Sequence, residues 1–321
     1  MGTSVVKFKS TSGDSAWGVL KNDAIYPLAN NYEHHAELIN HYFDDRAGFD
    51  QSLADQPVAG EISFLPPLSE RTQLFAQGLN YADHREESGL DDEGDENLIF
   101  AKPASTISGP NDDIVKPQNV ELLDYEIELG LVLKQSVTAP VAVSDQNLCD
   151  YVGGLILCND VSARDEMFGA PMLQWFKGKG YRTFCPAGPV LYLMDSEDFA
   201  KLYDLELTLK LNGEVRQQAR TSQLIHKPPK TISEISAFAN LQQGDVILTG
   251  TPGGVLAGHS VKAGLAIMMN LTNDQKRRNK FIAAQKAQAT FLQAGDQLEL
   301  HIASTDGSLD LGTQRNVVVN A

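Results

Sequence analysis

The 321-residue chain contains no run of the roughly 18 apolar residues that a membrane span needs, and the apolar stretch from Leu265 to Leu271 falls far short. Its opening residues, MGTSVVKFKS, lack the apolar core of a secretory signal, so a cytoplasmic protein is expected. Cysteine is scarce. Cys149, Cys158 and Cys185 show no Cys-x-x-Cys spacing, which argues against a zinc ribbon or a dithiol redox centre and fits buried free thiols in a reducing compartment. Basic residues are also few, with 26 Lys and Arg against 42 Asp and Glu, a net charge of −16. Nucleic acid and anionic membranes reward clustered positive charge, so neither is expected as a partner. Gly253 and Gly258 have the spacing of a phosphate loop, but His259 and Ser260 follow where the phosphate-reaching lysine should stand. A Gly-x-Ser-x-Gly nucleophile elbow is missing as well.

What remains is an ordinary globular composition, 42% hydrophobic and 21% charged. The length predicts more than one folding unit. Val5 to Leu28 alternates apolar and polar residues around turn signals, predicting an antiparallel meander. Leu38, Ile39, Tyr42 and Phe43 then recur at helical spacing. FLPPLSE, with Pro66 and Pro67, closes this part, giving a small N-terminal β-rich domain over residues 1–70 and a larger unit over 71–321. His34, His35 and His41 lack any accompanying carboxylate or cysteine pattern, so they are read as exposed helix histidines rather than metal ligands. The larger unit has many short β-rich runs, and Asn212-Gly213 between LELTLKL and EVRQQ predicts a type I′ hairpin. Strands dominate without a regular βαβ alternation, which predicts an α+β fold.

The stretch DYEIELGLVL, Asp124 to Leu133, carries the chemistry. In an extended strand Glu126 and Glu128 point to one face, where two like charges repel unless a cation or substrate lies between them. NDVSARDE supplies a third carboxylate, Asp160, at the exit of the predicted strand YVGGLILCN. An all-oxygen set of this kind suits Mg²⁺ or Mn²⁺, with Ca²⁺ a further occupant in vitro. Because the three charges would repel one another, removing one is expected to leave the fold largely intact. The alternatives are a solvated edge strand for the glutamate pair and a helix N-cap for Asp160.

GLNYADHREESG, FAKP, DYEIELGLVL, NDVSARDEM, QWFKGKGYRTFCPAGP and LTGTPGG occur in this order. Together the set resembles the fumarylacetoacetate hydrolase family, in the branch acting on 2-oxo acids. The likeness runs from about Gln77 to Gly258 and returns at AGDQLELHI. It implies a mixed β-roll with a smaller N-terminal domain, a homodimer, and a small 2-oxo or 2,4-dioxo carboxylic acid as substrate. The activity it implies is metal-dependent hydrolysis of a C–C bond in a 2,4-dioxo acid of the acylpyruvate or fumarylpyruvate type, in aromatic or related catabolism. Hydratase, decarboxylase (oxaloacetate) and isomerase chemistry are the alternatives, and a non-catalytic carboxylate-binding protein is the remote one.

By the same resemblance Glu126, Glu128 and Asp160 match the metal ligands. His84 and Glu87 match a water-activating pair in which the glutamate orients the ring. Lys179 matches a lysine that stabilises developing negative charge. Tyr81, Arg164 and Gln174 match positions that contact substrate or shape the cavity, and Gly250 with Thr251 offers backbone and hydroxyl donors to a substrate carboxylate. Each has a structural alternative: Arg164 bridging buried carboxylates, Gln174 tying down a loop, TGTPGG forming a turn. The chain departs from the family pattern in an insertion, His259 to Gln293. Its second half, with Lys276, Arg277, Arg278 and Lys280, predicts a helix with a solvated basic face, packed at a subunit boundary.

Overall fold

The computed structural model describes residues 1–10, 13–90, 96–170, 172–258, 264 and 273–321. Its centre is an 11-stranded mixed sheet whose main path runs Ala24–Pro27, Ser15–Lys21, Thr3–Ser10, Cys185–Leu193, Val152–Asn159, Ile127–Leu133, Val246–Leu248, Leu74–Gly78 and Leu98–Lys102. A five-stranded sheet, ordered Glu214–Arg220, Leu205–Leu211, Gln297–Ser304, Asp310–Asn320 and Ile114–Lys116, packs against it.

Alternation along the central strands explains how the layers assemble. Leu129, Leu131 and Leu133 join Leu155, Leu157 and Tyr192 in one core, which also takes Leu205, Leu207, Leu209, Leu298, Leu300 and Ile302 from the second sheet. Val132 and Ile156 point the other way, into a second core with Trp17, Leu38, Ile39, Tyr42 and Leu191. Both faces are therefore covered, so the 127–133 strand is buried along its whole length. It is a central strand and not the solvated edge considered from sequence.

The predicted meander forms from the first three strands, and Thr3–Ser10 pairs antiparallel with Cys185–Leu193, so it continues the main sheet. The predicted helix is His35–Asp44. The Asn212-Gly213 turn has φ of 52° and 84°, both left-handed, as a type I′ hairpin requires. The helix of the insertion is Asp274–Lys286, capped by Asn273 Oδ1 accepting from the Lys276 N–H at 2.9 Å. Residues 259–263 and 265–272 of that insertion lie outside the described residues. Lys276 and Lys280 of its basic cluster are exposed as expected, but the two arginines depart from the solvated face. Arg277 is fully buried and its Nε donates to Gly169 O at 3.0 Å. Arg278 pairs with Asp165 at 2.6 Å and Glu166 at 2.8 Å. Two carboxylates buried in the 164–168 helix draw Arg278 inward, because a desolvated carboxylate needs a partner.

Among the described residues no helix is long and apolar enough to cross a membrane. All three cysteines are free; Cys158 and Cys185 are buried, whereas Cys149 is only partly so. His35, expected to be exposed, is buried. Its Nδ1 accepts from the Ser69 N–H at 3.2 Å, which leaves Nε2–H to donate to Gly244 O at 2.7 Å. Burial lowers its pKa from 6.5 to about 4. A depressed histidine contributes stability that is fully present above the unfolded value and is lost as pH falls toward the folded one. Between pH 6.5 and about 4 the loss should reach on the order of 3 kcal/mol. Urea unfolding over that window should show a steeper decline for the parent than for His35→Gln, and equal slopes would mean that His35 is not held neutral.

Candidate active site

Strand register brings the carboxylates together. Ile127 pairs with Asn159 and Glu128 with Cys158, so the next pair outward is Glu126 against Asp160, joined by the Asp160 N–H donating to Glu126 O at 2.8 Å. Glu128 lies two residues further in on the same face. Carboxylate oxygens of Glu126, Glu128 and Asp160 lie within 4.8 Å of one another, all three residues are buried, and the set could hold a metal ion. Clustering of hard oxygen donors around one point fits a divalent cation.

The three do not stand alone, however. Lys179 Nζ donates to Glu126 at 2.7 Å, Asp160 at 2.6 Å and Ser162 Oγ at 2.9 Å. Lys102, from FAKP, bonds the other oxygen of Asp160 at 2.5 Å and the Lys179 carbonyl at 2.5 Å. Arg164 forms ion pairs with Glu126 at 2.6 Å and with Asp124 at 2.9 Å. The carboxylates consequently diverge. Burial raises the Glu126 pKa, but Lys179 and Arg164 overcome this and hold it at about 2. Glu128 is pushed well above the ordinary carboxylate range by burial, then by repulsion from Asp160 and Glu126, against the Lys179 charge and one 2.8 Å bond from the Gly250 N–H. Mutual repulsion is thus concentrated on Glu128, whereas Glu126 and Asp160 are ion-paired, which bears against the expectation that either of those two can be neutralised with the fold largely intact. Asp160 is not a helix cap, because the helix Arg164–Phe168 begins after Ala163.

A cavity of about 500 Å³ opens beside this cluster, lined by Glu126, Arg164, Lys179, His84 and Thr251 on its polar side. His84 is buried, on the short helix Ala82–Glu87. Its Nδ1 is 3.8 Å from a Glu87 oxygen, too far for a hydrogen bond, and has no bonded partner. The Glu87 carboxylate instead accepts from the Gly254 N–H at 2.8 and 3.0 Å. The pair read from DHREE is adjacent but not hydrogen-bonded.

The loop that follows Val246–Leu248 is shaped by its glycine. Gly250 has φ of 88°, and a Cβ there would stand 2.9 Å from the Asn80 Cβ. That left-handed turn aims its N–H at Glu128. Asn80 ties the same loop down by donating to Thr249 O at 2.8 Å and His226 O at 3.1 Å. Thr251 Oγ1 accepts from Gln217 Nε2 at 2.8 Å, and Gln217 Oε1 accepts from the Ile127 N–H at 3.0 Å. Tyr81 is fully buried in a small cluster with Ala219 and Leu224, and burial raises its hydroxyl pKa. Gln174 is exposed just before the helix Trp175–Lys179. The cavity lining contains neither Tyr81 nor Gln174, but it includes the neighbours Trp175 and Leu173.

Lys102, Asp124 and Gln217 escaped the sequence reading. FAKP flagged the first only as part of an ordered set. Nothing local flags Gln217, which reaches the site through a 90-residue separation. Phe281 and Gln285 of the inserted helix also line the cavity. Cys158, opposite Glu128, has its thiol pKa pushed up by its contact with Cys185 and by burial.

Comparison with known proteins bears on the family and the fold. The model of the fumarylacetoacetate hydrolase C-terminal domain matches residues 73–319. The mitochondrial oxaloacetate tautomerase FAHD2A of Bos taurus is 38% identical over 211 residues, 64% of each chain, so the match spans just under two thirds of that relative. The 2,4-didehydro-3-deoxy-L-rhamnonate hydrolase of Sphingomonas sp. (strain SKA58) is 35% identical over 263 residues, 81% of this chain and 78% of that one. Among solved structures, a probable 2-hydroxyhepta-2,4-diene-1,7-dioate isomerase from Mycobacterium abscessus superposes with a TM-score of 0.72 at 28% identity, covering 100% of this chain and 99% of that one. The family match takes in most of the chain and every residue of the carboxylate cluster: the protein belongs to the fumarylacetoacetate hydrolase family.

Proposed function

We propose that this protein is a divalent-metal-dependent enzyme that hydrolyses a C–C bond in a small 2,4-dioxo acid of the acylpyruvate or fumarylpyruvate kind. The observation that carries the reading is the strand register that buries Glu126, Glu128 and Asp160 together beside a cavity that His84 and Lys179 also line. A divalent ion held by those carboxylates, Mg²⁺ or Mn²⁺ by its oxygen chemistry, supplies Lewis-acid polarisation of the keto-acid oxygens and stabilises developing negative charge.

The chain's own residues supply the remainder. His84, with its Nδ1 unbonded, takes the proton of a water that attacks the distal carbonyl. A carbon–oxygen bond forms, the adjacent C–C bond breaks, and its electron pair leaves as an enolate that is then protonated. Lys179, whose ammonium already faces Glu126 and Asp160, adds positive charge where the enolate develops. Thr251 and Arg164 meet the substrate carboxylate, and Gly250 positions Glu128. Tyr81 and Gln174 act from outside the lining, as supports of the 82–87 and 175–179 helices.

A second reading has its own support. His84 and Glu87 are not hydrogen-bonded, and a residue that only moves a proton on and off carbon needs no oriented water. Keto–enol tautomerisation or isomerisation of a 2-oxo acid would use the same carboxylates, and relatives carry the names oxaloacetate tautomerase and dioate isomerase. Self-association as a twofold dimer completes the proposal, supported by the exposed Met172, Leu173 and Phe176 beside the cavity mouth. Light scattering at micromolar concentration should give twice the 35.0 kDa chain mass, and a monomer would refute it.

Glu128→Gln should abolish Mn²⁺ binding in calorimetry while leaving the metal-free fold at least as stable as the parent near neutral pH. From the ordinary carboxylate value of 4.5 up to the raised one, the folded parent holds more protons than the unfolded chain, so its stability falls as pH rises through that window. The glutamine variant should lack this decline. Glu126→Gln and Asp160→Asn strip partners from buried cations and should cost about 3–5 kcal/mol. Unaltered Mn²⁺ binding in Glu128→Gln would place the metal elsewhere.

His84→Ala should slow cleavage of a 2,4-dioxo acid by about 10²–10⁴ with little change in metal affinity. Near-normal cleavage would remove the water-activating role. Lost tautomerisation of oxaloacetate together with unimpaired cleavage would favour the second reading.

A further inference from the structure

The cavity beside the carboxylates is walled mostly by apolar side chains. Its lining includes Leu79, Leu98, Phe100, Met167, Phe168 and Phe281 beside Glu126 and Lys179. Phe281 is buried and belongs to the helix Asp274–Lys286, inside the insertion that departs from the family pattern. Its ring lies 6.2 Å from that of Phe168, and Arg278 locks the helix to Asp165 and Glu166 on the element that carries Met167 and Phe168. The inserted helix therefore forms a fixed wall of the cavity.

Charge is also accounted for. Asp124, Glu126, Glu128 and Asp160 are four buried carboxylates, compensated among the described residues by the three buried cations Lys102, Arg164 and Lys179. A divalent ion would turn the single excess negative charge into a single positive one, which one substrate carboxylate neutralises. A second carboxylate would meet mostly apolar walls. The only Lys or Arg side chains in the described lining are Arg164 and Lys179, both already paired with the carboxylate cluster. Burying an unpaired carboxylate against apolar walls is strongly disfavoured.

We infer that the inserted helix, through Phe281, selects 2-oxo acids whose far end is a neutral apolar group and rejects those that end in a second carboxylate. This rests on the 2-oxo acid reading above and narrows it to the acylpyruvate side. Phe281 acts as a specificity residue: it lines the cavity and takes no part in the carboxylate cluster.

Calorimetry on the Mn²⁺-loaded protein tests this without turnover. Pyruvate, 2-oxobutyrate, 2-oxopentanoate and 2-oxohexanoate should bind with affinity rising by about fourfold per methylene, the effect of burying each one. 2-Oxoadipate, which replaces the terminal methyl of 2-oxohexanoate with a carboxylate, should bind at least about tenfold more weakly than 2-oxohexanoate. In Phe281→Ala the chain-length dependence should flatten while pyruvate affinity is kept, and Phe281→Leu should restore most of it. 2-Oxoadipate binding as tightly as 2-oxohexanoate, or a flat series in the parent that still binds pyruvate, would overturn the inference alone. Failure of pyruvate and every longer acid to bind would overturn the 2-oxo acid reading along with it. The parent comparison stands even if Phe281→Ala proves unstable.

Discussion

Four carboxylates buried at one end of a sheet are the constraint around which this molecule is organised. Water cannot solvate Asp124, Glu126, Glu128 and Asp160, so the chain must bring charge to them. It does so from three separate segments: Lys102 from an outer strand of the sheet, Arg164 from the start of one short helix, and Lys179 from the end of another. Each cation also ties its segment to the sheet. Lys102 illustrates this, since it bonds both the Asp160 side chain and the Lys179 carbonyl and so fixes a strand, a loop and a helix at one point. The site and the fold around it are held by the same bonds, and only Glu128 is left undercompensated.

Much of this could be read from the chain before any coordinates, and the reason is periodicity. Glu126 and Glu128 share a face because strands repeat every two residues, and Asp160 joins them because it follows a strand of matching length. The Asn-Gly hairpin was legible because its two left-handed residues are a local chemical requirement. What escaped was non-local. The partner of Asp160 lies 58 residues away and that of Ile127 90 residues away, and no spacing rule spans such distances. The 127–133 strand looked compatible with an edge because its own residues cannot say what covers the far side; the N-terminal meander and helix do so.

The inserted helix teaches the same lesson in reverse. A basic, Ala- and Gln-rich segment in an acidic chain reads as a solvated face, and by composition it is one. Asp165 and Glu166 override that pattern, since two buried carboxylates attract arginine more strongly than solvent retains it. Once Arg277 and Arg278 face inward, Phe281 and Gln285 follow on the same side at the next turn, and a segment outside the family pattern becomes part of the cavity. Packing here joins these ion pairs to a small apolar cluster of Leu122, Phe281, Ile282 and Phe291.

The thiol behind Glu128 bears on which ions the cluster can discriminate. Cys158 is the cross-strand neighbour of Glu128, and its contact with Cys185 together with burial keeps it protonated. Its sulfur is not among the mutually close donor atoms, so the set that could hold an ion is all oxygen, the kind that suits hard divalent cations. The two buried thiols sit in the second apolar core with Val132, Ile156 and Leu191, so sulfur at this end of the sheet serves packing while the clustered donors are carboxylate oxygens.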